Sequence, residues 1–296
     1  MHAAPEHSRE RAICIAVDDF GLHGGINQAA LRLADLGRAQ AIGCMVGAAA
    51  WPAGGPLLRR LEPLQVDLGL HLDLTESPLL PRTARPLKTL IRDSFLQRLD
   101  RQAVRAEIKA QLDAFEQVLG RGPMYVDGHQ HVHQFPIVRD ELLAELGERY
   151  GRLRPWLRST RRPRGLGAAQ HPTWRDRVKP WVIERLGAGG LASLARRLGY
   201  PQNRHLLGVY PFAAGSLRYG QRLAAWLRAA CEGDLLMCHP SLATNDSDAI
   251  LAARAEELRV LADPDLVTRL SDAGIRLQPM SRILEQVTAS GLSAAD

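Results

Sequence analysis

Short apolar runs alternate with amphipathic stretches along most of the chain. The apolar runs predict β-strands over 12–17, 41–46, 66–74, 124–126, 206–210, 234–238 and 275–277, with a weaker strand near Trp156. Between several of them, a period of about 3.6 residues predicts helices over 26–36, 104–119, 138–148, 217–230 and 251–261. This alternation indicates parallel strands joined by crossover helices.

Seven or eight such units favour a distorted (β/α) barrel, similar to a TIM barrel, over a small open sheet. We expect a single domain over 1–296 with its core at about 12–290. Two segments are longer than ordinary connections: the proline-rich insertion at about 77–99, and the basic insertion at about 159–204, which has a helical stretch near 182–198. Insertions at strand ends often form lids or substrate walls.

Composition narrows the class of protein. The chain has 296 residues, 46% of them hydrophobic, so it can bury a substantial core. Its N-terminal stretch has charges where a secretory signal needs an apolar region, and no apolar run approaches the roughly 20 residues of a membrane span. We therefore expect a soluble cytoplasmic protein. The four cysteines have no CxxC spacing, which favours buried thiols over a disulfide framework or a thiolate metal site.

The net charge of +6 comes almost entirely from arginine, since only three of the 38 basic residues are lysines. A basic surface favours anionic partners without choosing one. No recognised nucleic-acid-binding motif accompanies it, so nucleic acid is not an expected partner.

The candidate chemistry lies at predicted strand ends. The residues concerned are Asp18 and Asp19 after the first strand, His71 at the third, His129, His131 and His133 beyond the fourth, and His239 after the run at 234–238. A parallel barrel brings the carboxyl ends of its strands around one cleft. We therefore expect these side chains to converge.

Two adjacent carboxylates repel each other, and burial disfavours both ionised forms. A carboxylate with two imidazoles suits a divalent metal and leaves positions open for water and substrate, so one aspartate can be a ligand while its neighbour acts as a base. In HQHVH, strand geometry would place the three histidines on one face, with one ligating and the others binding substrate or orienting the site. Asp127 is a candidate acceptor for an imidazole N–H.

Each motif alone has a structural explanation. The DDFG stretch could be an Asx-type turn, and Asp127 could be a turn residue before Gly128. His71 could be a hydrogen-bonded core histidine, the HxHxH run a histidine-rich loop, and His239 a strand terminus. Their co-occurrence at strand ends favours a functional site.

Four motifs occur in order: VDDFG at 17–21, GLHLDLT at 69–75, YVDGHQHVH at 125–133 and MCHPS at 237–241. In these motifs the chain resembles the YdjC-like carbohydrate deacetylases, which include chitooligosaccharide deacetylases and hopanoid-associated deacetylases. The resemblance extends from residue 12 to about residue 280. One departure is Gln130, which stands where the family often has histidine.

The resemblance implies a distorted (β/α) barrel that holds one divalent ion, Mg²⁺ or Zn²⁺. On matching positions it implies Asp19, His71 and His129 as ligands, Asp18 as catalytic base and His239 as catalytic acid. The implied reaction is the hydrolysis of an N-acetyl group on a sugar, with release of acetate.

The arginine-rich segment 152–165 is open to two interpretations. It can be a solvated surface loop, or it can bind a phosphate or an anionic membrane surface. The second interpretation favours a lipid-linked sugar as substrate and peripheral contact with a membrane. We expect Trp156, Arg158, His131 and His133 to bind substrate. The indole of Trp156 can be a stacking face for a sugar ring, or it can equally be a packing residue.

Two other functions remain open. A metal-dependent phosphoesterase acting on a sugar phosphate would explain the arginines, although a two-metal version needs more carboxylates. A non-catalytic sugar-binding protein would not need Asp18, Asp19 and His239 together. A homodimer is a further possibility.

Overall fold

The computed structural model describes residues 10–163, 174–212, 219–242 and 248–289. Its strands are β1 (Arg11–Phe20), β2 (Ala41–Cys44), β3 (Asp67–Leu72), β4 (Tyr125–Gly128), β5 (Trp156–Leu157), β6 (Leu206–Leu207), β7 (Leu235–Cys238) and β8 (Ile275–Leu277). Its α-helices are α1 (Gly24–Asp35), α2 (Trp51–Gly54), α3 (Leu87–Phe95), α4 (Arg101–Leu119), α5 (Val138–Tyr150), α6 (Trp174–Ile183), α7 (Gly189–Leu198), α8 (Tyr219–Ala229), α9 (Leu251–Leu261), α10 (Leu266–Asp272) and α11 (Met280–Ala289). Gly55–Arg60 and His129–Gln134 form 3₁₀ helices, and Glu184–Ala188 forms a π-helical turn.

The strands form one parallel sheet in the order β5-β4-β3-β2-β1-β7-β6. The short strand β8 pairs with the first residues of β1, which precede the residues of β1 that pair with β7. The two ends of the sheet approach each other, because Leu157 of β5 forms a parallel bridge with Gln202 and its amide donates to the Pro201 carbonyl at 2.9 Å. The predicted distorted (β/α) barrel is confirmed.

The central strand β1 shows why this sequence forms a barrel. Nine of its ten residues are buried, as expected of a parallel strand covered on both faces. Alternate residues face different layers: Ile13 and Ile15 pack in the larger core shared with the helices, whereas Ala12 and Cys14 pack in a smaller core with Trp156. These small residues leave room for the indole ring.

Helix α4 illustrates how the crossover helices begin and end. The Asp100 carboxylate accepts the backbone N–H groups of Gln102 and Ala103, which satisfies two donors of the first turn. Gly120 ends the helix in the left-handed conformation with φ 70°, where a side chain would be strained.

Both predicted insertions contain helices. The first carries α3 and is held to α4 by the buried Glu107, whose carboxylate accepts the amides of Leu79 at 2.8 Å and Leu80 at 2.7 Å. The second carries α6 and α7, and its residues 164–173 lie outside the described residues. The single domain over 1–296 stays a prediction. None of the helices in the described ranges has the length and apolar content that a membrane span requires.

Candidate active site

The two aspartates lie in a β-bulge at the end of β1. Val17 pairs with Ile42 and Phe20 with Cys44, so β1 contains one more residue than β2 in this stretch. In a regular strand, Asp18 and Asp19 would point to opposite faces. The bulge changes these directions, as bulges next to active sites commonly do. It lets both carboxylates line the same cleft.

The turn that follows depends on unusual backbone angles. Asp19 has φ 65°, a left-handed conformation that aspartate adopts more readily than most residues. Gly21 has φ 102°, and a Cβ atom there would lie 2.6 Å from the Met45 carbonyl oxygen. The DDFG stretch is therefore a turn that also presents two carboxylates, so its structural and functional interpretations are compatible.

Asp18 is paired with a buried arginine. The two terminal nitrogens of Arg158 donate to the two Asp18 oxygens at 2.6 Å each. Arg158 Nη2 also lies 2.7 Å from Asp127 Oδ2. All three side chains are buried, so the guanidinium compensates two carboxylates that would otherwise repel each other in a low-dielectric environment.

His71 and His129 both approach Asp19. Asp19 Oδ1 lies 3.4 Å from His71 Nε2 and 3.0 Å from His129 Nδ1. On its other side, His71 Nδ1 lies 2.7 Å from Asp127 Oδ1, the contact expected of a carboxylate that orients an imidazole. The predicted convergence of these side chains is therefore present.

A carboxylate that the sequence analysis missed, Glu76, lies beside His129. Its Oε1 atom is 3.1 Å from His129 Nε2 and accepts a hydrogen bond from the Gln130 side chain. Asp73 holds the loop in place, since its carboxylate accepts the amide of Glu76. Each imidazole thus faces Asp19 with one nitrogen and a second carboxylate with the other.

The expected strand geometry of HQHVH is wrong. His129–Gln134 is a 3₁₀ helix in which Gln130 and His131 have φ 52° and 60°. His129 and His131 line the cleft. His133 is fully buried, and its Nε2 atom lies 2.9 Å from the Arg158 carbonyl oxygen, so the predicted contact of His133 with substrate has no support in this geometry.

Two further substrate-binding predictions need correction. Trp156 is buried in the smaller core, stacks on Tyr125 with a centroid distance of 4.3 Å, and donates its indole N–H to Asp67. Arg158 is fully buried behind Asp18. Segment 152–165 is not one surface loop, because it runs from the exposed Leu153 into the buried strand β5. Its last residues, 164 and 165, lie outside the described residues.

Helix α9 supports the opposite side of the site. Arg254 donates to Asp19 Oδ2 at 2.7 Å and to the carbonyl of His239 at 3.3 Å. Glu257, one turn further, accepts the backbone N–H of His239 and the hydroxyl of Tyr210. These contacts place His239 Nε2 at 3.9 Å from Asp18 Oδ2.

Carboxylates at the bottom of the cleft shift the pKa values of the groups around them. Burial alone would raise the pKa of Asp19, but His129, His71 and Arg254 outweigh it and hold that pKa well below its usual range. Burial would lower the pKa of His71, yet Asp127 and Asp18 raise it to about 9. The pKa of His129 is likewise raised, against burial, chiefly by Asp19. The carboxylates thus stabilise the protonated forms of His71 and His129, and a metal ion that bound these imidazoles would displace their protons.

Burial disfavours the protonated form of three other histidines, His131, His133 and His239. Burial lowers the pKa of His239 and of His133 to about 4, and that of His131 well below its usual value. Burial also raises the pKa of Glu257 to about 7. A neutral His239 can accept a proton from its surroundings.

Two groups of side chains have donor atoms close enough to share an ion. In Asp19, His71 and His129, these atoms lie within 4.8 Å of one another. The same holds for Asp18, His71 and Asp127, but Arg158 already pairs with both of those carboxylates. In the first group, Arg254 pairs with Oδ2 of Asp19, while Oδ1 faces the two imidazoles. This group therefore fits a divalent cation better, and it combines imidazole nitrogens with a carboxylate oxygen as many metal sites do.

A cleft of about 900 Å³ opens above these residues. Much of its wall is apolar and comes from the two insertions: Leu87, Ile91, Val182, Ile183 and Leu186. One cation interrupts this wall. Lys179 of α6 lies over the Phe212 ring at 4.2 Å and donates to the Tyr210 carbonyl at 3.0 Å, and burial lowers its pKa to about 8.

Comparison with known proteins identifies relatives over most of the chain. The sequence profile of the family described as YdjC-like protein matches residues 12–272. A carbohydrate deacetylase of Homo sapiens is 28% identical over 301 residues, which cover 90% of this chain and 88% of the relative. A chitooligosaccharide deacetylase of Enterobacter sp. strain 638 is 24% identical over 274 residues, covering 90% of this chain and 97% of the relative.

Among solved structures, a candidate cellobiose-phosphate cleavage protein from Enterococcus faecalis superposes with a TM-score of 0.67 at 18% identity. The alignment covers 93% of this chain and 99% of that chain. At this level of identity, the likeness concerns the fold alone.

Proposed function

Because the chain belongs to the YdjC-like protein family, we propose that it is a metal-dependent hydrolase that removes the N-acetyl group from an acetamido sugar and releases acetate. The observation that carries the proposal is the meeting of Asp19, His71 and His129 beside Asp18 at the bottom of one cleft. The names of the two deacetylase relatives support the same reaction.

We assign Asp19, His71 and His129 as the residues that hold one divalent ion. Imidazole suits zinc and carboxylate suits magnesium, so the ion is Zn²⁺ or Mg²⁺. When bound, such an ion acidifies water and polarises a carbonyl group. Asp127 and Glu76 orient the two imidazoles from behind through the contacts at 2.7 and 3.1 Å.

Asp18 is the proposed base. Its two hydrogen bonds from Arg158 hold the carboxylate at the bottom of the cleft. There it accepts a proton from the water whose oxygen forms a bond to the acetamide carbon.

His239 is the proposed acid. Because it is neutral near pH 7, it must first receive the proton that Asp18 takes from water, across the 3.9 Å between them. It then gives this proton to the sugar nitrogen as the C–N bond breaks. The products are acetate and the free amino sugar, with the second proton of the water released to solvent.

The cleft walls support an amphiphilic substrate. Aliphatic side chains from α3 and α6 face the space beside the proposed reaction site. This part of the wall offers a short sugar few polar side chains to contact, whereas it can bury an apolar group. We propose a lipid-linked acetamido sugar, with its apolar part against Leu87, Ile91 and Val182. The homodimer and the cytoplasmic location stay predictions.

The test is acetate release from free, oligomeric and lipid-linked N-acetylhexosamines by the metal-loaded enzyme, with phosphate release from sugar phosphates measured in parallel. We expect acetate from at least one class and the highest kcat/KM for the lipid-linked one. Phosphate release without acetate release would overturn the proposal.

A further inference from the structure

The positive charge of this protein is concentrated in its two insertions. Segments 77–99 and 159–204 together contain fifteen Lys or Arg and three Asp or Glu, a net charge of +12. The whole chain carries +6, so the remaining residues together carry −6. The segments that build the walls of the cleft are therefore opposite in charge to the barrel that supports them.

Helix α3 carries an apolar stripe out of the cleft. Leu87 and Ile91 line the cleft, and Phe95 follows one turn later on the same face. Phe95 is 46% exposed, and its neighbour Leu96 is 52% exposed. The exposed cations Lys88 and Arg98 lie on the same insertion.

Helix α6 repeats this arrangement on the other insertion. Val182 lines the cleft and is also 38% exposed, while Val178, one turn earlier, is 43% exposed. Trp181 is 46% exposed, and the Arg185 guanidinium lies over its ring at 5.3 Å. An indole beside an arginine is typical of the boundary between water and a bilayer.

We propose that these parts of the two insertions form a docking face for an anionic lipid bilayer. The docking face consists of Phe95, Leu96, Val178 and Trp181 with the surrounding cations Lys88, Arg98 and Arg185. Apolar side chains that enter the headgroup region, within a basic surround, are the combination that binds peripheral proteins to anionic membranes. The apolar stripes connect the docking face with the cleft.

Charge selects this partner over a second copy of the chain. Two such faces, each part of insertions that carry +12, would repel each other on contact. Lipids with anionic headgroups complement the face instead. The purpose of docking rests on the proposed function, because a lipid-linked substrate would reach the cleft from the bilayer, but the binding itself does not depend on the reaction.

The test is sedimentation of the full chain with phosphatidylcholine vesicles that contain or lack phosphatidylglycerol. We expect binding to the anionic vesicles that weakens as salt rises. The double variant Phe95→Ala with Trp181→Ala should weaken binding at least tenfold. The double variant Lys88→Glu with Arg98→Glu should weaken it by more than fivefold for each residue, because each lost cation removes about 1 kcal/mol of binding free energy. The matched control is Leu153→Ala, an 89% exposed apolar residue that precedes β5 at the opposite ends of the strands.

Equal binding to neutral and anionic vesicles, or full binding by the Phe95 and Trp181 pair, would overturn the docking face. So would an absence of binding at low salt. Acetate release from a water-soluble N-acetylhexosamine distinguishes this failure from that of the proposed function: the docking variants should keep that activity. Vesicle binding without any acetate release would contradict the proposed function and would still support the proposed docking face.

Discussion

The bottom of the cleft and its walls are built from opposite kinds of side chain. At the bottom, strand ends and helix α9 supply buried charges that pair with one another, such as Asp18 with Arg158 and Asp19 with Arg254 of α9. In the walls, inserted helices supply aliphatic groups such as Ile91 and Val182. On the proposed function, the barrel holds the reacting groups and the insertions select what reaches them.

This difference predicts different penalties for substitution in the two regions. Removing one member of a buried ion pair leaves its partner charged and unsolvated, which destabilises the whole fold. Changing one group of the wall alters contact with the substrate and leaves the fold intact. Substitutions in both regions test this difference.

Replacing Arg158 should have the largest effect. Arg158→Leu leaves Asp18 and Asp127 buried without their common partner, so we expect the free energy of unfolding to fall by about 3–5 kcal/mol. Urea denaturation measures this loss. Arg60→Leu is the matched control, because its pair with Asp35 at 2.8 Å is half exposed and should contribute at most about 1 kcal/mol. Equal losses in the two variants would contradict the proposed role of Arg158.

Replacing the proposed base should abolish most turnover. Asp18→Asn keeps the shape of the side chain but removes the proton acceptor, so we expect kcat to fall about 100-fold or more while the metal is retained. Asp127→Asn removes the other partner of Arg158 and serves as the control, with a smaller loss expected. Unchanged turnover of Asp18→Asn would reject its role as base.

Glu76 lies where the bottom of the cleft meets its rim. Glu76→Gln removes the charge that faces His129 Nε2, and we expect the metal dissociation constant to rise about tenfold. Titration calorimetry measures the constant directly. The exposed Glu62, which precedes β3 at the opposite ends of the strands, provides the control Glu62→Gln. A dissociation constant that matches the wild type would show that Glu76 does not orient His129.

A wall residue should show the smallest and most selective effect. Ile91→Ser removes an apolar side chain that lines the cleft, which costs roughly 1 kcal/mol of binding free energy from lost apolar burial. We therefore expect KM for a lipid-linked sugar to rise about fivefold and KM for a short sugar to rise less. The control is Leu64→Ser, a surface leucine outside the cleft. An equal rise for both substrates would contradict a role of the wall in selection.

The sequence predicts the part of the site that topology determines. Apolar runs locate the strands, and parallel strands bring their carboxyl ends together, so the convergence of the aspartates and histidines could be predicted without coordinates. The choice of Asp19, His71 and His129 among them came from the resemblance to the YdjC-like deacetylases. The bulge in β1 could not be predicted from the sequence, because the extra residue becomes evident only when β1 is paired with β2. For the same reason, the predicted strand end at Val17 falls short of the observed end at Phe20.

The predicted role of Arg158 was wrong, and Arg254 and Glu257 were missed, because the neighbours of these residues in space are far away in sequence. Arg158 follows a strand of only two residues within an arginine-rich stretch, so its pattern resembled an exposed loop. Arg254 and Glu257 left a readable signal, since they lie three apart on a predicted helix and share its buried face with Leu258. Polar residues on the apolar face of a helix predict buried contacts of this kind.

The central claim is that Asp19, His71 and His129 hold one divalent ion together. The most direct test is elemental analysis of the purified chain and of Asp19→Ala and His71→Ala after equilibration with zinc or magnesium. We predict about one ion per chain in the wild type and a loss of most of it in both variants, measured on protein that circular dichroism shows to be folded. Full metal content in both variants would contradict the account.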